Sequence, residues 1–257
     1  HSLSVPDRAP LIPFFNQQHK RAAREETRIR GPYNANQQSR FVELVLVVDN
    51  KVFKSLDHDF TKVHTHCKDI ANTINALYVP LNIFVVLIGV VIWNENNLVD
   101  LSADGDKTLR SFLNYRKKIL LRDHPNDNAQ LLTGEVFEGG VVGKALKGPI
   151  CTFEFSGGVS MDHSKVLSIV ATTIAHEMGH NFGMEHDNDD CDCPDDRCIM
   201  SSSSSSIAPR HWSKCSIDQL NLAFHHGMDY CLRNHPTNIF ESPVCGNGFK
   251  ELGEDCG

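Results

Sequence analysis

The sequence predicts an α/β domain with a mainly parallel sheet, and three observations carry that prediction. Strand-like and helix-like segments alternate from Phe41 onward, the strand-like ones are nearly continuous apolar runs, and the helix-like ones repeat their apolar residues at helical spacing. A chain of 257 residues with 40% hydrophobic content can bury one substantial core, or one core plus a small appendage.

Taken in order, residues 1–39 read as a propeptide remnant or linker tail, rich in proline, arginine and amides and without apolar periodicity. Within it, Arg21-Ala22-Ala23-Arg24 has the basic spacing that proprotein convertases read, which marks Arg24 as a candidate processing position; a solvated basic tail fits the same pattern. Phe41 to Asp49 is a buried strand carrying one interior acid, Glu43. Phe60 to Leu77 has helical spacing (Val63, Cys67, Ile70, Ile74) and stops before Pro80. Leu81 to Trp93 is a second strand, rich in β-branched residues and too short, at 13 residues, to cross a bilayer as a helix. Leu109, Phe112, Leu113, Tyr115 and Ile119 mark a second amphipathic helix. Gly134 to Ser160 is glycine-rich and extended, with Val136-Phe137 and Val141-Val142 as short strand candidates. Val166 to Phe182 reads as a long helix. A loop rich in cysteine and serine (187–215), a last helix near Ser216 to His226, a linker (236–244) and a cysteine-containing end (245–257) follow.

Net charge of -7 argues against nucleic acid, which recruits a basic surface. Six of the nine cysteines lie from Cys151 to Cys231, a clustering that suggests disulfides and an oxidising compartment. A second, cysteine-ligated zinc site is the rival reading, but no paired C-x-x-C units occur. No signal peptide opens the sequence, so an upstream segment is expected, and there is no N-x-S/T sequon.

The chemistry concentrates in His176-Glu177-Met178-Gly179-His180-Asn181-Phe182-Gly183-Met184-Glu185-His186. Residues four apart on a helix share a face, so His176 and His180 can put two imidazoles on one ion. Glu177 is directed to the same cleft and suits a general base acting on water. Gly183 lets the chain leave the helix in a tight turn, with positive φ, that brings His186 round as a third ligand. Three neutral histidines leave the fourth position of a zinc ion open, the arrangement of a catalytic site. The five fixed residues would coincide by chance on the order of once in ten thousand such chains, so an accidental surface helix is not a serious rival.

This is the metzincin signature. Asp187 directly after the third histidine, with Cys198-Ile199-Met200 downstream, resembles the adamalysin (reprolysin, or ADAM) branch. The resemblance runs from Arg40 to about Asn234 and includes Phe41-Val42-Glu43-Leu44-Val45 and Asp127-Asn128-Ala129-Gln130-Leu131-Leu132. Gly157-Gly158-Val159-Ser160-Met161-Asp162-His163 is most similar to the meltrin-like members. The resemblance implies a zincin-like domain over 40–235: a twisted, mostly parallel sheet with an antiparallel edge strand, a long active-site helix and a small C-terminal subdomain. It implies a zinc endopeptidase of extracellular or cell-surface proteins, with ectodomain shedding as one role and a type I membrane protein as the full-length form. Met200 would be the Met-turn residue beneath the zinc; read alone, it is core. Glu43, Asp127, the carbonyl of Cys231 and Asn234 would hold a structural Ca²⁺, whose preference for hard oxygen ligands would explain Glu43; a Glu paired with Lys or Arg is the alternative. Disulfides Cys151–Cys231, Cys191–Cys215 and Cys193–Cys198 are implied, leaving Cys67 unpaired as an inert thiol or an intermolecular partner. An upstream prodomain capping the zinc through a cysteine is implied as inhibitor.

Residues 245–257 are similar to the start of a disintegrin domain, but Glu254-Asp255-Cys256-Gly257 lacks one cysteine of the family's pattern, so nothing about integrins as partners carries over. His64-Thr65-His66-Cys67 has metal-binding residue types, yet its i, i+2 histidines point apart on a helix, and solvated residues are expected. His225-His226 are equally poor ligands. The acidic loop Asp187 to Asp196 is solvated surface, or a feature favouring basic substrate residues. Substrate is expected to pair with an edge strand near Gly139 to Lys147. A non-catalytic adhesion or receptor-binding module is the alternative from another class; the intact three histidines and Glu177 speak against it.

Overall fold

A computed structural model describes residues 29–30, 35–203, 207–236, 238–240 and 250–251. The candidate processing position Arg24 and most of the disintegrin-like end lie outside these residues. The first strand of the main sheet, β1 (Arg40–Val48), is buried along most of its length and ends at Asp49, whose carboxylate accepts from Val52 N at 2.8 Å and caps a helix the sequence does not announce, α1 (Asn50–Ser55). Asp59 caps α2 (Phe60–Tyr78) in the same way, and the predicted apolar positions Val63, Cys67, Ile70 and Ile74 are all buried. After Pro80 the chain turns through Asn82, at φ 58°, into β2 (Ile83–Ile92). Asp104 caps α3 (Gly105–Tyr115), which widens into a π-turn over Arg116–Leu120. The main sheet and its helices are completed by β3 (Asn128–Thr133), β4 (Gly143–Ala145), β5 (Gly157–Met161), α4 (Leu167–Asn181) and α5 (Lys214–His225), and a separate antiparallel pair joins Ile29–Arg30 to Lys250–Glu251.

The sheet runs β2-β1-β3-β5-β4, parallel throughout except for the antiparallel pairing of β4 with β5. This is the α/β architecture expected. One face, with Leu44, Leu46 and Leu132, packs on α2 and α4; the other, with Val45, Val47, Leu131 and Val159, packs on α3. Two strand candidates fail. Neither Val136-Phe137 nor Val141-Val142 is in a strand, because Gly139 and Gly140 adopt φ of 70° and 73° between them and break the extended run. β3, too polar at Asn128 and Gln130 to register as an apolar run, is fully buried instead.

The described part of the linker, 236 and 238–240, packs on the domain. Phe240 N donates to Leu87 O on the outer edge of the sheet at 2.9 Å, and Pro236 is buried. Disulfides join Cys151–Cys231, Cys191–Cys215 and Cys193–Cys198, while Cys67 is free, buried and pushed up to about 12 by that burial. No helix among the described residues is long and apolar enough to cross a membrane.

Arg116 is the largest charged group in the interior, 1% exposed. Its guanidinium donates to the carbonyls of Asn126, Asp127, Thr152 and Phe153 at 3.1–3.3 Å, tying α3 to the entry of β3 and to the Cys151 loop. Burial draws its pKa down to about 10, which still leaves it charged at neutral pH. Replacing it strands four carbonyls without their donor. Arg116→Ala is therefore expected to lower stability by about 3 kcal/mol or more, read from the urea midpoint at constant m; an unchanged midpoint would contradict this role.

Candidate metal centre

α4 carries His176 and His180 one turn apart, and its C-terminal exit supplies the third histidine. Phe182 N still bonds Met178 O; Gly183, at φ 95°, then turns the chain, and Met184 N returns to Gly179 O at 3.0 Å. The positive φ expected at Gly183 is present, and three residues later His186 faces the helix. Its Nε2 lies 3.1 Å from His176 Nε2 and 3.2 Å from His180 Nε2.

Two of these rings have their other nitrogen committed. His176 Nδ1 donates to Ile199 O at 2.7 Å and His180 Nδ1 to Met184 O at 2.9 Å, which leaves both Nε2 atoms as bare lone pairs. A tetrahedral zinc with ~2.05 Å bonds to nitrogen requires N···N separations of ~3.3 Å. The two separations from His186 match that within a few tenths of an ångström, and all three nitrogens lie within 4.8 Å of one another, so the donor set fits zinc. Burial lowers His176 to about 4 and shifts His180 the same way, keeping both imidazoles neutral, as ligation demands.

Glu177 is buried (5% exposed), and that burial raises its carboxyl to about 8, with Lys144 pulling the other way. It lines a cleft of about 380 Å³ together with the three histidines, the edge-strand segment 139–145, Ile169, Thr172 and Pro209.

Supporting contacts involve Met200 and Asp187, which the sequence singled out, and Gly179 and Asn181, to which it assigned no role. Met200 is fully buried, and a Cβ on Gly179 would lie 2.6 Å from its Sδ, so a glycine inside the motif lets the Met200 loop press against the helix. Asp187 holds that loop by its N–H to Met200 O at 2.9 Å, while its carboxylate accepts from Ser213 and Ser216 at the start of α5. Asn181 donates to Leu146 O and Gly157 O and accepts from Asn128, fastening the end of α4 to the edge segment, β5 and β3. Buried amides in a polar patch give no apolar periodicity, so only contact reveals them.

Residues 40–236 match the model of the reprolysin (M12B) family of zinc metalloproteases. The chain belongs to this family. It is 42% identical over 220 residues to the disintegrin and metalloproteinase domain-containing protein adm-2 of Caenorhabditis elegans, an alignment covering 84% of this chain and 23% of that protein. A solved structure described as a chaperone–substrate complex superimposes with a TM-score of 0.54 at 16% identity, over 77% of this chain and 36% of that one, a likeness of fold. As a reprolysin domain, the chain is a metalloendopeptidase by family.

Elsewhere in the reprolysin domain, Glu43, Asp127 and Asn234 come together where the domain's two ends meet. Asp127 Oδ2 accepts from Glu43 N at 2.9 Å, Asn234 Nδ2 reaches Glu43 Oε2 at 3.5 Å, and Phe41 N donates to Leu232 O next to Cys231. His64 and His66 do not form a joint site, and neither is simply solvated. His64 packs edge-on against Phe240 at 5.0 Å, and His66 is mostly buried with its Nε2 3.4 Å from Asp162 Oδ2. The expectation of solvated histidines fails because Phe240 packs against His64 and the segment of Asp162 covers His66.

Burial pushes Asp127 up to about 7 from 3.8, the neighbouring Glu43 charge adding to the rise against the pull of the Glu43 N–H and Arg116. Glu43 is raised by burial as well. A carboxyl that binds its proton more tightly folded than unfolded stabilises the fold fully below its unfolded pKa, and loses that contribution as pH rises through the folded value. In chelator-treated protein, stability is thus expected to decline between about pH 4 and about pH 7. Thermal melts across that window check it; a flat or rising Tm there would contradict the shift.

Proposed function

We propose that this domain cleaves peptide bonds within extracellular or cell-surface proteins, with His176, His180 and His186 holding zinc and Glu177 serving as general base. The observation that carries the reading is the convergence of three Nε2 atoms beside a buried carboxylate in an open cleft. Bound there, zinc supplies Lewis-acid polarisation of the scissile carbonyl and of a water molecule.

The chain's own residues do the rest. Glu177 accepts the proton of the attacking water and passes it to the leaving amine. β4 has no strand beyond it among the described residues, so an extended substrate can add there by backbone pairing, crossing the cleft in front of His176 and Glu177. Ile169, Ile199 and Pro209 give the cleft apolar wall for a substrate side chain. Met200 supports the histidines from below. An upstream prodomain is proposed as the natural inhibitor of this site, and shedding of membrane-anchored ectodomains as a use of it; the chain spans 23% of the length of the adm-2 relative.

We also assign Ca²⁺ to Glu43, Asp127, Asn234 and the Cys231 carbonyl. Two carboxyls pushed upward by burial beside one another form a site that a hard divalent ion would relieve. Calcium should then shrink the decline in Tm between about pH 4 and about pH 7, leaving the share that Glu177 contributes, whereas a decline of the same size with and without calcium would remove the assignment.

For the catalytic role, Glu177→Gln should retain the fold and one equivalent of zinc while kcat falls by about three orders of magnitude or more on a quenched-fluorescence peptide. Zinc content by atomic absorption and turnover are measured on the same preparation; retained turnover would exclude Glu177 as the base.

A further inference from the structure

The edge strand that would receive substrate is pressed directly against the proposed base. Gly143 opens β4 and pairs across the ladder with Ser160. A Cβ built on Gly143 would lie 2.4 Å from Oε1 of Glu177, 2.8 Å from its Cγ and 2.9 Å from its Cδ. All three nearest atoms belong to that one side chain. Real Cβ atoms do not approach so closely, so the volume a side chain at 143 would need is already filled by Glu177.

The backbone gives no other reason for glycine. Gly139, Gly140, Gly148 and Gly183 have φ values in the left-handed region, whereas Gly143 does not, and alanine could adopt its extended conformation. Alternation along β4 sends Lys144 to the opposite face, where its stem meets the start of α3 and its ammonium approaches Asp106 at 3.6 Å. The face toward α4 is left with Gly143 and Ala145, the two smallest side chains. Ser160, on that face by its pairing with Gly143, is also small, and its buried hydroxyl has no partner. The result is a shallow seat, one residue deep, beneath the helix at Glu177.

We propose that Gly143 is a positioning residue for Glu177: the absent side chain is the seat in which the carboxylate lies, and it sets how close the base sits to a substrate paired with the same strand. The inference rests on Glu177 being the base. Enlarging the seat's occupant by one methyl pushes the carboxylate away without touching the histidines, and displacement of a reacting group by about 1 Å is worth on the order of 100-fold in rate.

Two mutant cycles test this on the zinc-loaded protein. In the kinetic cycle, Gly143→Ala should lower kcat by ~10- to 100-fold with KM within about twofold. Glu177→Asp, one methylene shorter, vacates part of the seat, so adding Gly143→Ala to it should produce little further loss. A wild-type kcat for Gly143→Ala, or a double variant whose loss is the product of the two single losses, would overturn the proposal. In the stability cycle, Gly143→Ala should lower Tm in the wild-type background and not in Glu177→Ala, where the volume is free. An equal loss in both backgrounds would place the clash elsewhere and overturn it; with no loss in either, the kinetic cycle decides alone. The stability cycle needs no turnover, so it still reads the contact if Glu177→Gln proves active and the catalytic reading fails.

Discussion

The structure depends on holding three imidazoles together, with the Nε2 of His186 within about 3.2 Å of those of His176 and His180. Such a convergence has to be restrained from outside. Backbone carbonyls do that work for two of them: Ile199 O fixes the ring of His176, and Met184 O fixes that of His180. Both carbonyls belong to segments that are themselves pinned. Met184 follows the Gly183 turn, and Ile199 precedes Met200 in the loop that Asp187 and Gly179 hold against the helix. The Cys193–Cys198 and Cys191–Cys215 disulfides close the acidic loop behind it. The C-terminal subdomain thus acts as the outer brace of the metal centre.

The same dependence runs into the sheet. α4 can present its histidines only if its far side is fixed, and Asn181, Asn128 and Gln130 form a buried amide network that links its end to β3, β5 and the edge segment. A polar network in a core is costly unless satisfied, and here most of its atoms are paired. Glu177 lies between these two supports, over the edge strand. Its upward-shifted pKa and its seat at Gly143 have one origin, the close approach of α4 to β4 that removes water from around the carboxylate.

Much of this was legible in the sequence. The His176–His186 spacing dictates one helical face and one turn, and apolar runs as long as Phe41–Val48 and Leu81–Trp93 leave little choice but buried parallel strands. What the sequence did not disclose shares a physical character. β3 is buried through amide contacts that carry no hydrophobic period, and α1 exists because Asp49 caps it. The Val136 and Val141 pairs look like strand by composition, but two left-handed glycines between them override it. His66 and Phe240 are meaningful only once a distant segment docks on α2. Periodicity reports an element's relation to a core, and it is silent where tertiary contacts between polar groups decide the outcome.

The central claim is that the three histidines form a nitrogen-only protein shell for zinc with one position left open. X-ray absorption at the zinc edge on the metal-loaded protein tests it directly. The account predicts three imidazole nitrogens and one further light ligand at about 2.0–2.1 Å. A sulfur scatterer near 2.3 Å, or a shell with fewer than three imidazoles, would contradict it.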